Sequence, residues 1–144
     1  MKCPTETVNL YNKKETPKKG VENRTAMNIV AVDDDPENLH AMASLLQKWQ
    51  ANYKLFENVD TVLAYAKEHR APDVILMDYQ LGHDCDGITL IKTLREIWQS
   101  PVPAILITAV RDEALKQQTK ADNIHYLSKP VKPAKLKALL NHST

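Results

Sequence analysis

Three short runs of the chain are apolar at every position: Ile29-Val30-Ala31-Val32, Val74-Ile75-Leu76-Met77 and Ala104-Ile105-Leu106-Ile107. Alternate strand residues point to opposite faces, so a strand with no polar position offers no face to water and must be covered on both sides. These runs are predicted to be the central strands of a sheet. Tyr53-Lys54-Leu55-Phe56 is mixed and fits an edge strand, and Ile124-His125-Tyr126-Leu127 reads as the last strand. Between the runs, apolar residues recur at helical spacing. Asp35-Pro36 supplies a cap and a first-turn proline for a helix carrying Leu39, Met42, Leu45, Leu46 and Trp49. Val59, Val62, Leu63 and Ala66 mark a second helix, Ile88, Ile91, Leu94 and Trp98 a third, and Leu136, Leu139 and Leu140 a fifth that Pro133 opens. The fourth, from Asp112 to about Lys120, is polar apart from Ala114 and Leu115, so it is expected to pack loosely and to be able to shift.

Strand and helix thus alternate through the chain, which predicts an α/β fold. The order of lengths suggests a doubly wound, five-stranded parallel sheet in the flavodoxin-like order 2-1-3-4-5, with helices on both faces. The folded domain is expected over residues 28–142, enough chain for one core and not for two. Residues 1–27 show no hydrophobic periodicity and hold six Lys/Arg against three Asp/Glu, the composition of a disordered leader or linker. The remainder holds thirteen basic against fifteen acidic residues, and a slightly acidic domain without a basic stripe argues against direct nucleic-acid binding. No stretch has the length of a membrane span or the apolar centre of a signal peptide, which makes the cytoplasm the expected compartment. The two cysteines, Cys3 and Cys85, lack the spacing of a metal or redox motif.

In a sheet of this order, ligands bind outside the carboxyl ends of the central strands. The residues predicted there are Asp33-Asp34-Asp35 after the first strand, Asp78 after the third, Thr108-Ala109 after the fourth and Ser128-Lys129-Pro130 after the fifth. Carboxylates gathered at one point repel unless a cation joins them, and an all-oxygen set with room for water suits magnesium. With the ion bound, one carboxylate oxygen can attack a phosphoryl group whose equatorial oxygens need metal, lysine and hydroxyl partners. Asp78, Lys129 and Thr108 supply those parts. The small Ala109 leaves space for the incoming group, and Pro130 can hold a cis bond that aims Lys129 inward. No single element is specific; four in register are.

From Ile29 to Leu140 the chain resembles response-regulator receiver domains of two-component signalling, on Val32-Asp33-Asp34, Leu76-Met77-Asp78, Ile107-Thr108-Ala109 and Leu127-Ser128-Lys129-Pro130. More narrowly, Asp78-Tyr79-Gln80-Leu81, the run from Pro103 to Ala109 and the run from Lys129 to Ala134 resemble the C-terminal receivers of hybrid sensor histidine kinases. The resemblance implies that Asp78 accepts a phosphoryl group from a histidine kinase or histidine phosphotransfer protein. It implies that Asp34 and Asp78 ligate Mg2+ directly together with the backbone carbonyl of Gln80, and Asp33 through water. Thr108 and Lys129 would hold the phosphoryl oxygens, and Tyr126 falls at the family's rotating aromatic position, so that Thr108 and Tyr126 would shift the face of the fourth helix and fifth strand. Such a protein is a self-phosphorylating and self-dephosphorylating phosphoacceptor rather than a conventional enzyme, expected as a monomer or weak dimer. One departure from the family pattern stands out. The family usually has a proline early in the loop after the phosphoacceptor and reaches its Asp-Gly pair one residue sooner than Asp86-Gly87, so residues 81–87 follow their own path.

Two rival functions use parts of the same residues. An aspartyl-nucleophile phosphatase or phosphotransferase would attack with Asp33, but Glu37 stands where such enzymes carry Thr or Val. A docking-only pseudo-receiver would not need the full set of acceptor-site groups, all of which are present. Nucleotide hydrolysis is excluded, because Gly20, Gly82 and Gly87 form no phosphate-cradling loop. His83-Asp84-Cys85-Asp86 is contiguous, without metal-ligand spacing, and reads as a polar loop. His40 reads as a surface or boundary residue, and Trp49 and Trp98 as packing.

Overall fold

The computed structural model describes residues 26–81 and 85–143, so residues 1–25 of the expected leader and 82–84 of the loop lie outside it. Strands β1 (Asn28–Val32), β2 (Asn52–Phe56), β3 (Val74–Asp78), β4 (Ala104–Thr108) and β5 (His125–Ser128) alternate with helices α1 (Pro36–Lys48), α2 (Val59–Glu68), α3 (Gly87–Trp98), α4 (Glu113–Ala121) and α5 (Pro133–Ser143). The sheet is parallel throughout, in the order β2-β1-β3-β4-β5.

Each central strand divides its side chains between two cores. Ile29, Ala31, Val74, Leu76, Ile105 and Ile107 pack with Leu39 and Leu46 of α1 and Leu136 and Leu140 of α5. Val30, Val32, Ile75, Met77, Ala104 and Leu106 pack with residues of α2, α3 and α4 on the other face. This two-sided burial is why the three runs tolerate no polar position until their last residues. The chain turns polar where the strands leave the shelter of the helices, and that is where the site forms.

The helices begin on side chains that accept a backbone N–H: Asp35, Asn58, Asp86 and Asp112 cap α1 to α4. The exits of α1, α3 and α4 use left-handed residues that are not glycine, Gln50, Gln99 and Asn123, with φ of 60°, 51° and 60°. The last strand starts one residue later than the apolar pattern suggests. Ile124 still belongs to the turn that ends α4, its N–H held by the Thr119 carbonyl at 2.8 Å. Helix α4 buries only Leu115 and Thr119, in keeping with its polar sequence.

Arg95, four residues after Ile91 and seven after Ile88 and so on the apolar side of α3, is a clamp. Its Nε donates to the Val102 carbonyl at 2.9 Å, and its Nη atoms donate to the carbonyls of Asp122 at 2.8 Å and Asn123 at 3.0 Å. One planar guanidinium therefore ties α3 to the segments that precede β4 and β5. Arg95→Lys keeps the charge but not the fork, and is expected to lose about 1 kcal/mol of stability. A urea midpoint equal to that of the wild type would show that the clamp contributes nothing.

Candidate functional site

Val32 pairs with Met77 across the β1–β3 ladder, so Asp33, just past β1, and Asp78, the last residue of β3, emerge side by side. Carboxylate oxygens of Asp33, Asp34 and Asp78 lie within 4.8 Å of one another. Asp33 and Asp78 are buried and Asp34 is exposed. From the end of β5, Lys129 reaches across to donate its Nζ proton to Asp78 Oδ1 at 3.0 Å. The Asp33 carboxylate is held from the other side by the Asp35 N–H at 2.9 Å. With Asp35, Asn38 and Gln80, these residues line an open cleft of about 420 Å³.

Crowding and burial show in the titration behaviour. Burial raises the pKa of Asp78 to about 6; the Lys129 hydrogen bond and charge oppose this, and the charges of Asp33 and Asp34 add to it. Burial also raises Asp33, against the Asp35 N–H, the Lys129 charge and the Asn38 side chain. For Lys129, burial favours the neutral amine, but the hydrogen bond to Asp78 and the three carboxylate charges outweigh it and leave the pKa raised. Three carboxylates thus face one ammonium group, all at an open cleft. Close-set oxygen donors with excess negative charge fit a hard divalent cation that keeps part of its water shell.

The structure brings together Asp33, Asp34, Asp78, Gln80 and Lys129. Thr108 lies apart from this cleft lining. It is buried at the end of β4, with its Oγ1 accepting the Val110 N–H at 3.0 Å. Tyr126 donates its hydroxyl to the carbonyl of the same Val110, and Lys116 Nζ sits 5.4 Å from its ring centroid. Thr108 and Tyr126 therefore meet through one residue of the β4–α4 connection. Ala109 is exposed, and the Lys129-Pro130 peptide is cis. Asp35 accepts the Glu37 N–H at 3.0 Å as the cap of α1, and Asp86 accepts the Thr89 N–H at 2.8 Å as the cap of α3. His40 is exposed, while Trp49 and Trp98 are half-buried, as their packing assignment requires. The sequence pattern gave no sign of Asn38 in the cleft lining and marked Gly87 only as part of the Asp-Gly pair; the Gly87 N–H donates to the Tyr79 carbonyl at 2.7 Å.

Residues 29–141 match the family model described as the response regulator receiver domain. The chain belongs to that family. It is a receiver domain of two-component signalling, and that is not a conventional enzyme family. The receiver is 31% identical over 121 residues to the signal transduction histidine-protein kinase BarA of Escherichia coli K12, a match covering 83% of this chain and 13% of the kinase. The chain thus spans only about an eighth of the length of that kinase. Protein PilH of Pseudomonas aeruginosa is 28% identical over 118 residues, covering 78% of this chain and 93% of PilH. Among solved structures, the chemotaxis protein CheY4 of Vibrio cholerae superposes with a TM-score of 0.72 at 24% identity, covering 83% of this chain and 100% of that one. The receiver domain of the Francisella response regulator 1452 gives 0.72 at 21% identity, covering 81% and 95%. Among the described residues, no helix is long and apolar enough to cross a membrane.

Proposed function

We propose that Asp78 accepts one phosphoryl group from a phosphohistidine of a histidine kinase or histidine phosphotransfer protein. The observation that carries this reading is Asp78 itself: a buried carboxylate at the centre of the acidic cluster, with one oxygen on Lys129 and an open cleft in front. Mg2+ fits the donor set: Asp34, Asp78 and the Gln80 backbone carbonyl would hold it directly, and Asp33 through water. When bound, it supplies the positive charge that lets a phosphoryl group approach three carboxylates.

The free Asp78 oxygen attacks phosphorus in line as the phosphorus–nitrogen bond breaks, and the imidazole leaves with the electron pair. Lys129 follows the charge from the carboxylate to the phosphoryl oxygens. Thr108 turns its hydroxyl to the same group and releases the Val110 N–H. Val110 also holds Tyr126, so this release reaches β5 and the sparsely buried α4 and changes the face they offer to a partner. Domain limits of 28–142, residues 1–27 as a leader or linker, a cytoplasmic setting and a monomer or weak dimer belong to the same reading.

The test is incubation of the chain with Mg2+ and acetyl phosphate, followed by intact mass and by borohydride trapping of the acyl phosphate. One phosphoryl group on Asp78, absent when the metal is chelated, is expected. No uptake, or a label on Asp33, overturns the proposal; the second outcome is the one an aspartyl phosphatase would give.

A further inference from the structure

The segment after β3 closes on itself before it reaches α3. The Tyr79 N–H donates to the Ile107 carbonyl of β4 at 3.1 Å, and the Tyr79 carbonyl accepts the Gly87 N–H at 2.7 Å. One residue further on, Gln80 and Asp86 form an antiparallel bridge. Because that bond joins their outer neighbours, Tyr79 and Gly87, the Gln80–Asp86 pair is of the non-hydrogen-bonded kind, whose own backbone groups point away from the opposite segment. The Gln80 carbonyl is thereby turned out of the closure, and among the described residues nothing donates to it. Gln80 lines the cleft together with Asp33, Asp34 and Asp78.

Leu81 holds the other end of that carbonyl's peptide group. The Gln80 C=O and the Leu81 N–H share one plane, so what fixes Leu81 also fixes the direction of the carbonyl. The Leu81 side chain is only 9% exposed and packs in the core that the sheet shares with α2, α3 and α4. The exposed Gln80 is thus held between two anchors, the doubly bonded backbone of Tyr79 and the buried side chain of Leu81. Resting on the metal reading above, we infer that Leu81 is a positioning residue: its burial, with the Gln80–Asp86 bridge, holds the Gln80 carbonyl where it meets the cation. A leucine that merely filled the core would affect stability and leave the metal affinity of the folded protein alone.

The experiment is calorimetric Mg2+ titration of the unphosphorylated full chain as wild type, Leu81→Ala, Leu81→Val, Leu81→Met and Leu115→Ala, at a temperature where urea unfolding shows each to be folded. Leu81→Ala is expected to weaken Mg2+ binding about tenfold, the smaller effect usual for losing a group that orients a metal ligand. Leu81→Val, a smaller truncation that carries the test where Leu81→Ala does not fold, is expected to fall between wild type and Leu81→Ala. Leu81→Met keeps the volume and the burial and is expected to bind within about twofold of wild type. Leu115→Ala truncates the same core from α4 and is expected to lose stability with Mg2+ affinity changed by less than about twofold. A second reading is the 15N resonance of residue 81, whose nitrogen is bonded to the carbonyl carbon in question. It is expected to move with Mg2+ in wild type and Leu81→Met, and in Leu81→Ala only at correspondingly higher Mg2+. Unaltered Mg2+ affinity in the folded Leu81 truncations, an equal loss in Leu115→Ala, or a wild type that binds Mg2+ without moving the residue-81 resonance overturns the inference. Failure of the wild type to bind Mg2+ at all overturns the metal reading instead, so the two failures are distinct.

Discussion

Freed of divalent ions, the wild-type receiver is expected to lose about 1 to 2 kcal/mol of stability between about pH 5 and about pH 7.5, whereas Asp78→Asn loses little. The sign follows from Asp78, whose folded pKa of about 6 lies above the usual carboxylate value. An acid with a raised folded pKa binds its proton more tightly when folded. Its stabilising contribution is complete below the unfolded pKa and is lost as the pH rises through the folded one. Asp33 is raised as well and acts in the same direction. At neutral pH the metal-free fold therefore bears a buried charge, and Asp78→Asn is expected to be about 2 kcal/mol more stable than wild type there. Adding Mg2+ should reverse the order, because the ion binds the ionised carboxylates and stabilises only the form that keeps them. Urea midpoints of both proteins, with chelator and with Mg2+, measure this. A flat wild-type profile, or the same slope in Asp78→Asn, would mean that Asp78 is not the residue under strain.

The same acidic site explains what could be read from the chain before its fold was known. The central strands are legible because two-sided burial forces an uninterrupted apolar run, and such a run ends at a definite residue. That fixes where Asp33, Asp78 and Thr108 emerge, and the parallel order brings Lys129 to Asp78 across 51 positions of chain. Asn38 and Arg95 were not legible for a shared reason: what each faces is set by a side-chain direction or by a segment distant in sequence. A polar residue in the first turn of a helix looks the same whether it faces water or a carboxylate. Arg95 resembles any charged helical residue until the turn carrying Asp122 and Asn123 is placed beside it. The Thr108 hydroxyl was assigned to the site by its strand end, but its present partner, the Val110 N–H, depends on how the following connection folds back.

Gly87→Ala is expected to destabilise the receiver by about 2 to 3 kcal/mol, because a methyl group has nowhere to go. Gly87 opens α3, and its backbone is helical, so space rather than conformational freedom calls for glycine. A Cβ built there would lie 2.5 Å from the Asp78 carbonyl oxygen, 2.9 Å from Leu106 Cδ1 and 2.9 Å from Met77 Cγ. The two side-chain ends can retreat by rotation, but the carbonyl belongs to the last residue of β3 and cannot turn without moving its own carboxylate. The Gly87 N–H is meanwhile held at 2.7 Å by the Tyr79 carbonyl, which presses the start of the helix onto the strand exit. The methyl group must therefore lift α3 from the sheet or displace the backbone of Asp78. The first would show as lost stability alone, whereas the second would also slow labelling by acetyl phosphate in the fraction that stays folded. Thr89→Ala, an exposed change two residues along the same helix, serves as the control and should stay within about 0.5 kcal/mol of wild type. Wild-type urea midpoint and labelling rate in Gly87→Ala would show that the contact between α3 and β3 has room for a side chain, and that Gly87 is not needed to seat Asp78.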